Sequence, residues 1–263
     1  MFTTHFKMSR QPFAERAPVD QILRDERIGQ GLARLDYLAK SGSIALVTGQ
    51  TGVGKSSLLK LFVHSLSRNR FNPVYLSLTD VGTNGLLKLI VNSLGEVPRR
   101  GKERLFLQIL EKVQKTELTT LLIVDECHFL EPHALIALRL LVSAGLEDAP
   151  PLKIILTGQD PLREQLKQAS HADLAGRISV RYHVPPLTRD QTQAYIDFQV
   201  RQCGGSEKIF EDEAKTLLHD YSSGVPRQIN NMATACLINA ATKNLQKITA
   251  NLVNETMPEF HLP

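Results

Sequence analysis

The 263-residue chain has an ordinary globular composition, with 42% hydrophobic and 22% charged residues. This balance excludes a disordered or fibrous chain and allows one large domain or two small ones. No apolar stretch reaches the roughly 18 residues that a membrane-spanning helix needs, and residues 1–10 lack the apolar core of a signal peptide. We therefore expect a protein with no membrane partner.

Net charge and cysteine content indicate the kind of partner and the redox environment of the protein. The net charge is +4, and residues 1–187 hold 24 Lys and Arg against 18 Asp and Glu, whereas residues 188–263 hold 7 against 9. A positive excess in the larger part suits a polyanionic partner, nucleotide or nucleic acid. Cys127, Cys203 and Cys236 lie far apart and form no CxxC pair, so they predict neither a zinc site nor a disulfide framework. We expect a reducing, cytoplasmic setting.

Short apolar runs alternate with helical patterns between residues 40 and 187. The runs predict strands over 44–48, 74–78, 121–125, 153–157 and 180–184, and the intervening patterns predict helices over 55–68, 84–94, 102–116, 131–144 and 161–176. The first, third and fourth runs are almost continuously apolar, as buried parallel strands are. This order predicts an α/β fold with a five-stranded parallel sheet between flanking helices.

The pattern changes after Pro185 and Pro186, where only helices are predicted, over 188–203, 211–221, 226–243 and 250–256. Thr188 stands in a helix-capping position, and two glycines at 204 and 205 end the first of these helices. We predict three parts: an N-terminal segment at 1–40, an α/β domain at 41–187 and a small helical domain at 188–263.

A glycine-rich motif follows the first predicted strand and opens a helix. It fits GxxxxGK[ST], the phosphate-binding loop, in the strand–helix context that this motif requires. The glycines let backbone N–H groups face the phosphates, Lys55 would reach the β- and γ-phosphates, and the Ser56 hydroxyl would bind Mg²⁺. The predicted nucleotide-binding residues of this loop are Gly49, Gln50, Thr51, Gly52, Val53, Gly54, Lys55, Ser56 and Ser57.

The third predicted strand ends in two carboxylates. Asp125 would hold Mg²⁺ through water, and Glu126 would act as the general base that polarises the attacking water. Cys127 and His128 follow directly, and the resulting Asp-Glu-Cys-His resembles the box of certain helicases. A helicase needs two such α/β domains and this chain has room for one, so we interpret His128 as a residue that caps the next helix or packs under the sheet.

Further motifs carry a family resemblance. They are residues 5–13, 31–35, 156–163, 174–178 and 224–230. On these and on the phosphate loop, nearly the whole chain resembles the AAA+ ATPases. Within them it is similar to the ExeA-like group, which includes transposon-encoded ATPases of the TniB type. The resemblance implies a P-loop fold with a helical lid domain, and ATP and Mg²⁺ as cofactors.

The resemblance also implies roles for single residues near the end of the sheet. Thr157 or Gln159 would be the sensor that contacts the γ-phosphate or the catalytic water, and we favour Gln159 because it lies further out along the strand. Arg177 would be the arginine finger, offered to ATP in a neighbouring subunit, where a cation offsets charge on the transferred phosphoryl group. Arg181 is the alternative finger.

Two more residues are assigned by resemblance. Arg227 would be a second sensor that reaches from the lid to the γ-phosphate of its own subunit, fixed by Pro226 at the start of a helix. Phe13, with the segment around Pro12, would border the adenine, which makes 1–40 a segment next to the nucleotide.

The densest basic run consists of Arg99, Arg100, Lys102 and Arg104, four cations in six residues. Contacts from such side chains to phosphates would give salt-sensitive binding of DNA that is mostly independent of sequence. The alternative is a solvated charged surface. No helix-turn-helix, zinc-finger or aromatic-stacking signature supports readout of bases.

These residues predict an ATP-dependent switch. ATP would stabilise a homo-oligomer, a ring or a helical filament, on double-stranded DNA, and the assembly would recruit or activate a transposase. ExeA proper continues into a membrane segment and a cell-wall-binding region, and since this chain ends at Pro263 with neither, we expect the transposition role. Two alternatives stay open: an ATPase that assists assembly of a secretion or envelope complex without DNA, and a nucleotide-gated scaffold that does not hydrolyse ATP.

Overall fold

The chain divides into two units, each with its own core. The computed structural model describes residues 2–15, 17–77, 81–144 and 152–260. Residues 29–50 and 58–184 form one unit, which we call the sheet unit. Residues 1–28, 51–57 and 185–263 form the other, which we call the helical unit.

The sheet unit contains a five-stranded parallel sheet. Its strands are β1 Ile44–Thr48, β2 Phe71–Ser77, β3 Thr119–Asp125, β4 Leu152–Gly158 and β5 Ile178–His183. Their order across the sheet is β2-β3-β4-β1-β5, and each neighbouring pair is parallel. The carboxyl ends of all five strands therefore lie along one edge, where open α/β sheets bind their ligands.

Burial explains the strand positions. All five residues of β1 and nearly all of β3 and β4 are buried, as expected for central parallel strands. β2 is an edge strand with alternating exposure, and it begins three residues before the predicted start. Pro73, which has no N–H to donate, is tolerated there because one side of an edge strand has no partner.

Helices occupy most of the remaining chain. They are α1 Phe2–His5, α2 Glu26–Ser41, α3 Lys55–Ser65, α4 Thr83–Ser93, α5 Lys102–Gln114, α6 Pro132–Ser143, α7 Asp160–Leu166, α8 Ala172–Arg177, α9 Arg189–Gln202, α10 Asp212–Ser222, α11 Pro226–Thr242 and α12 Ala250–Thr256. Short 3-10 turns lie at Val19–Gln21, Cys127–Phe129, Ala169–His171, Glu207–Ile209 and Met257–Phe260. The four helices predicted after residue 187 are confirmed as α9 to α12, within one residue at each end.

One predicted helix is wrong as a single element. Residues 161–176 form α7 and α8, separated by a 3-10 turn, because Gln168 adopts an extended conformation (φ −64°, ψ 144°) and interrupts the helix. The turn places His171 in the interior of the sheet unit with 1% of its surface exposed. Both of its ring nitrogens are buried without a hydrogen-bond partner among the described residues.

The core of the sheet unit lies between the strands and helices α4 to α8. It is built from apolar residues such as Leu122, Leu156, Ile90 and Leu138. Alternate strand residues, for example Val47, are buried as well, which is the pattern of a sheet covered on both faces.

The helical unit has a second core that includes the first residues of the chain. Phe6, Met8 and Phe13 pack with apolar residues of α9 to α12. The N–H of Ser9 donates to the carbonyl of Cys203 at 2.8 Å, and Nε2 of His5 lies 2.7 Å from the carbonyl of Leu245. Residues 2–13 are therefore part of the helical unit.

The ends of α9 follow the sequence signals. Thr188 and Gln191 form a capping box, in which the Thr188 hydroxyl accepts from the Gln191 N–H and the Gln191 side chain accepts from the Thr188 N–H. The helix stops at Gln202, and Gly204 has a φ of +78°. Within the part of the chain that the structure describes, the three cysteines are free and buried, and no helix is long and apolar enough to cross a membrane.

Candidate nucleotide site

The phosphate loop lies between the end of β1 and the start of α3. Gly49, Gly52 and Gly54 have φ values of 152°, 83° and 109°, a region that residues with a Cβ rarely adopt. The loop can therefore turn its N–H groups inward before Lys55 begins the helix, whose N-terminus attracts anions. Gln50, Thr51 and Ser56 are exposed, Ser57 is half-buried, and Val53 and Lys55 are buried.

The first turn of α11 lies against this loop within the helical unit. The N–H of Arg227 donates to the carbonyl of Gly52 at 3.2 Å. A Cβ on Gly52 would lie 2.6 Å from the Cβ of Arg227 and 3.3 Å from a methyl of Val225. The Arg227 side chain, the predicted second sensor, is exposed and begins beside the loop.

A buried arginine, Arg27, donates to a backbone carbonyl of the phosphate loop. Arg27, at the start of α2, pairs with Asp25 at 2.6 Å, and both side chains are about nine-tenths buried. The same guanidinium donates to the carbonyls of Pro185 at 2.7 Å and Val53 at 3.5 Å. This contact connects the loop to the segment where the chain leaves the sheet unit.

Asp125 ends β3 with its carboxylate fixed by three donors. One oxygen accepts from the Thr157 hydroxyl and, at 2.9 Å, from the Glu126 N–H; the other accepts from the Tyr75 hydroxyl. Burial, together with the Asp125 carboxylate, raises the pKa of Tyr75 well above its usual range, so the phenol stays protonated and donates. Thr157 is fully buried, and its hydroxyl donates to the Asp125 carboxylate. Gln159 lies beyond the end of β4, as the residue before α7.

Asp125 in the sheet unit and Ser56 in the helical unit each carry an oxygen donor of the kind that Mg²⁺ takes. Among the described residues, no group of three or more His, Cys, Asp or Glu side chains could hold a metal ion by itself. Mg²⁺ usually takes one or two carboxylates together with substrate phosphates and water, so it does not need such a group. An oriented carboxylate at Asp125 and an exposed hydroxyl at Ser56 are ligands of the required kind.

Glu126 adopts a left-handed backbone conformation (φ 56°, ψ 37°) directly after the strand. Its Oε2 lies 3.2 Å from Nδ1 of His128. On the other side of the ring, Nε2 of His128 lies 3.2 Å from the amide nitrogen of Gln159. The expectation that His128 caps the next helix is wrong, since the residue before α6 is Glu131; the ring is buried between two predicted catalytic side chains.

The two candidate arginine fingers differ in their partners. Arg177 is the last residue of α8 and is exposed, and its side chain makes no hydrogen bond or ion pair with any described residue. The guanidinium of Arg181 donates to the carbonyl of Ala175 at 2.6 Å and so satisfies a carbonyl of α8. Arg177 is therefore the freer of the two to reach a neighbouring molecule.

Phe13 lies inside the core of the helical unit, with 4% of its surface exposed and its ring edge against Phe210. Its placement next to adenine stays a prediction. The basic residues Arg99, Arg100, Lys102 and Arg104 lie in the loop before α5 and in its first turn, and all are exposed. Arg99 pairs with Glu111 at 3.2 Å; for the other three, the described residues offer no ion pair.

Sequence reasoning missed Tyr75, Arg27 and the role of His128. Tyr75 carried a weak signal, since it faces outward near the carboxyl end of an apolar strand. Arg27 carried none, because its partners Val53 and Pro185 are remote in sequence. His128 stood in a recognised motif, but its partner Gln159 lies after a different strand, β4.

Part of the chain is similar to a known family of domains. Residues 38–166 match the family model described as an AAA domain. "General secretion pathway protein A" of Aeromonas hydrophila is 30% identical over 257 residues, which cover 94% of this chain and 46% of that protein. The chain thus spans about half the length of the curated relative that it matches.

Solved structures share the fold. The ORC2 protein of Aeropyrum pernix, in ADPNP–ADP complexes, has a TM-score of 0.71 at 16% identity and covers 94% of this chain and 71% of its own. The ORC1 protein of the same organism, in complex with DNA, has a TM-score of 0.68 at 15% identity, covering 92% and 66%. The predicted fold class is confirmed: a P-loop NTPase fold of the AAA type, with a five-stranded parallel sheet and flanking helices.

Proposed function

We propose that this chain, with its AAA domain and P-loop fold, is a Mg²⁺-dependent ATPase that acts as a nucleotide-controlled switch. The observation that carries the proposal is the loop between β1 and α3, where three glycines with positive φ precede Lys55 at a helix N-terminus. This arrangement presents N–H groups and a cation to a polyphosphate. The ADPNP–ADP complexes of the ORC2 protein support a nucleoside triphosphate as the ligand.

Each site residue has one task in this proposal. Lys55 neutralises phosphate charge, and Ser56 and Asp125 hold Mg²⁺, which would offset negative charge on the phosphates. Glu126 takes a proton from the attacking water as the water approaches the γ-phosphate. The buried hydroxyl of Thr157 keeps Asp125 in place, which supports Gln159 as the side chain that contacts the γ-phosphate or the water.

Two arginines add charge from outside the sheet. Arg177 of one subunit enters the site of a neighbour as the arginine finger, and its lack of a partner among the described residues supports this role over Arg181. Arg227 contacts the γ-phosphate of its own subunit, supported by its backbone contact with Gly52. Loss of the γ-phosphate would then change the state of the lid and of the subunit interface.

Phosphate release from ATP tests the ATPase. We expect Lys55→Ala to abolish ATP binding and hydrolysis, and Glu126→Gln to retain binding while hydrolysis falls about 10²- to 10⁴-fold. Lys60→Ala, on the exposed side of the same helix, is the matched control. Phosphate release by Lys55→Ala at the rate of the Lys60→Ala protein would refute the proposal.

The finger assignment needs a separate test, because it acts between molecules. We expect Arg177→Ala to lose hydrolysis while keeping ATP affinity, and its activity to be restored in part by mixing with Lys55→Ala subunits, which contribute an intact finger. Arg181→Ala should keep hydrolysis. If Arg181→Ala loses activity and Arg177→Ala does not, the assignment is reversed.

For the biological task, we propose that the ATP-bound state assembles as a ring or helical filament on double-stranded DNA in the cytoplasm and recruits or activates a transposase. The resemblance to the TniB type supports this, and so do the exposed cations Arg100, Lys102 and Arg104, which lack ion pairs within the described residues. The DNA complex of the ORC1 protein supports DNA binding by this fold.

A second candidate is an ATPase that assists assembly of a secretion or envelope complex without DNA. The observation that favours it is the 30% identity with a general secretion pathway protein across 94% of this chain. In that case the basic residues before α5 form a solvated surface or contact a protein partner.

Binding to a random-sequence DNA duplex separates the two candidates. We expect binding that depends on ATP, weakens with salt, and is accompanied by growth into large particles. Replacing Arg100, Lys102 and Arg104 by Ala should lower the salt dependence of log K by about 3, whereas replacing Lys243 and Lys247 should not. ATP-dependent assembly without any DNA affinity at low salt would favour the secretion role.

A further inference from the structure

His128 lies between two side chains that the proposed ATPase uses. Its Nδ1 is 3.2 Å from Oε2 of Glu126, and its Nε2 is 3.2 Å from the amide nitrogen of Gln159. The imidazole is 8% exposed, and the ring of Phe129 packs beside it at 4.1 Å between centroids. The ring therefore connects the base candidate after β3 with the sensor candidate after β4.

The partners determine where the ring carries its proton. The amide nitrogen of Gln159 is a donor, so Nε2 of His128 acts as the acceptor. A neutral imidazole with an accepting Nε2 carries its hydrogen on Nδ1, which is the nitrogen that faces Glu126. With this tautomer, Gln159 donates to Nε2 of His128, and the hydrogen on Nδ1 lies on the side of the ring that faces Glu126.

The carboxylate of Glu126 faces this ring without an aligned hydrogen bond to it. Its Oε2 is buried and has no aligned hydrogen bond within the described part of the chain, and the same holds for Nδ1 of His128. The side chain of Glu126 as a whole is one-third exposed, so its exposure comes from its other atoms. A small rotation of either side chain would turn the 3.2 Å contact into a full hydrogen bond, which makes this pair sensitive to a shift at Gln159.

We propose that His128 is a positioning residue for hydrolysis: it sets the direction of the Glu126 carboxylate and links it to Gln159. The inference rests on the proposed ATPase function. When Gln159 engages the γ-phosphate, the ring follows its amide, and the contact of Nδ1 with Glu126 changes. The base is thereby aligned in the nucleotide state that hydrolysis needs.

Two amide substitutions of His128 distinguish its contact with Glu126 from its contact with Gln159. In His128→Asn the amide nitrogen replaces Nδ1 and keeps a donor for Glu126, whereas in His128→Gln the amide reaches toward Gln159 and leaves Glu126 without a donor. We expect His128→Ala to lower kcat about 10²-fold, the loss typical of a misplaced catalytic group, while the Kd for ATP stays within about twofold. His128→Asn should recover much of kcat, and His128→Gln should not.

His133→Ala, on the exposed side of α6, is the matched control and should behave as wild type. The inference is overturned if His128→Ala keeps a wild-type kcat. It is also overturned if kcat, nucleotide affinity and thermal stability fall together and His128→Asn restores none of them, since that is the behaviour of a purely structural residue.

NMR of the His128 ring tests its contacts with Gln159 and Glu126 without depending on ATP hydrolysis. In the nitrogen NMR spectrum of the full chain, we expect the His128 ring to be protonated at Nδ1, and both Gln159→Ala and Glu126→Gln to shift its ring nitrogens. If the wild type releases no phosphate but these shifts occur, the proposed function fails and the link stands. If neither substitution moves the ring signals, the link is refuted whatever the activity.

Discussion

Gly52→Ala should destabilise the protein, because Gly52 packs against the start of α11. In Gly52→Ala the new Cβ must sit at a φ of +83° and 2.6 Å from the Cβ of Arg227. The left-handed backbone costs about 1–2 kcal/mol for a residue with a Cβ, and an overpacked contact about 1–3 kcal/mol more. Neither atom is at the end of a flexible side chain, so we expect the unfolding free energy to fall by about 2–5 kcal/mol.

Gly54→Ala shows what backbone strain costs without an overpacked contact. Gly54 has a φ of +109°, further from the left-handed minimum, but, its two chain neighbours apart, no atom of the described residues lies within 4 Å of the position that a Cβ on this residue would take. Gly54→Ala therefore adds backbone strain without an overpacked contact, and we expect a loss of about 1–3 kcal/mol. Denaturant unfolding of the nucleotide-free proteins, followed by circular dichroism, measures both values.

The partner residue supplies the decisive comparison. In the Gly52→Ala background, Arg227→Gly removes the Cβ that the alanine meets, whereas Arg227→Ala keeps it. After correction for the single substitutions, we expect Arg227→Gly to return about 1–3 kcal/mol and Arg227→Ala to return almost none. The reasoning is refuted if both Arg227 substitutions rescue Gly52→Ala equally.

Three other substitutions test the buried polar groups. Tyr75→Phe should lower the unfolding free energy by about 1 kcal/mol and raise the Mg²⁺ concentration for half-maximal hydrolysis, since Asp125 loses a donor; an unchanged Mg²⁺ titration would contradict this. Arg27→Ala leaves the buried Asp25 carboxylate without its ion-pair partner and should lower the free energy of unfolding in denaturant by about 3–5 kcal/mol. The Arg27→Ala, Asp25→Ala double variant should regain much of that free energy. Burial lowers the pKa of His171, so the native state holds it neutral. Stability should then fall below about pH 6.5 by up to ~1.4 kcal/mol per pH unit, and His171→Leu should flatten that fall relative to wild type.

The sequence predicts the sheet and the phosphate loop because their signals are local. β1 lies at residues 44–48 as expected, since a short, largely apolar run there is bounded by Ser43 and Gly49. Parallel strands buried on both faces leave such runs in any sequence. The glycine spacing of the loop is similarly a local requirement of the backbone.

Other features depend on contacts between distant residues. The chain between Leu166 and Ala172 has neither glycine nor proline, so nothing local predicts the break between α7 and α8 that buries His171. Helix α2 is not predicted from the sequence, and a distant residue contacts its end: the ammonium of Lys153, 111 residues away, donates to the carbonyl of Gly42. The same holds for Tyr75, which donates to Asp125 on the neighbouring strand, and for the contact of His128 with Gln159, 31 residues away.

The position of residues 2–13 in the core of the helical unit has a consequence for synthesis. Phe6, Met8 and Phe13 leave the ribosome long before α9 to α12, the helices that cover them. The whole parallel sheet is translated in between, so these three apolar side chains must wait through about 170 residues of elongation without their partners. The helical unit therefore closes only after the strands of the sheet have been translated, and these apolar side chains stay exposed until then, which makes residues 2–13 a binding site for a chaperone during synthesis.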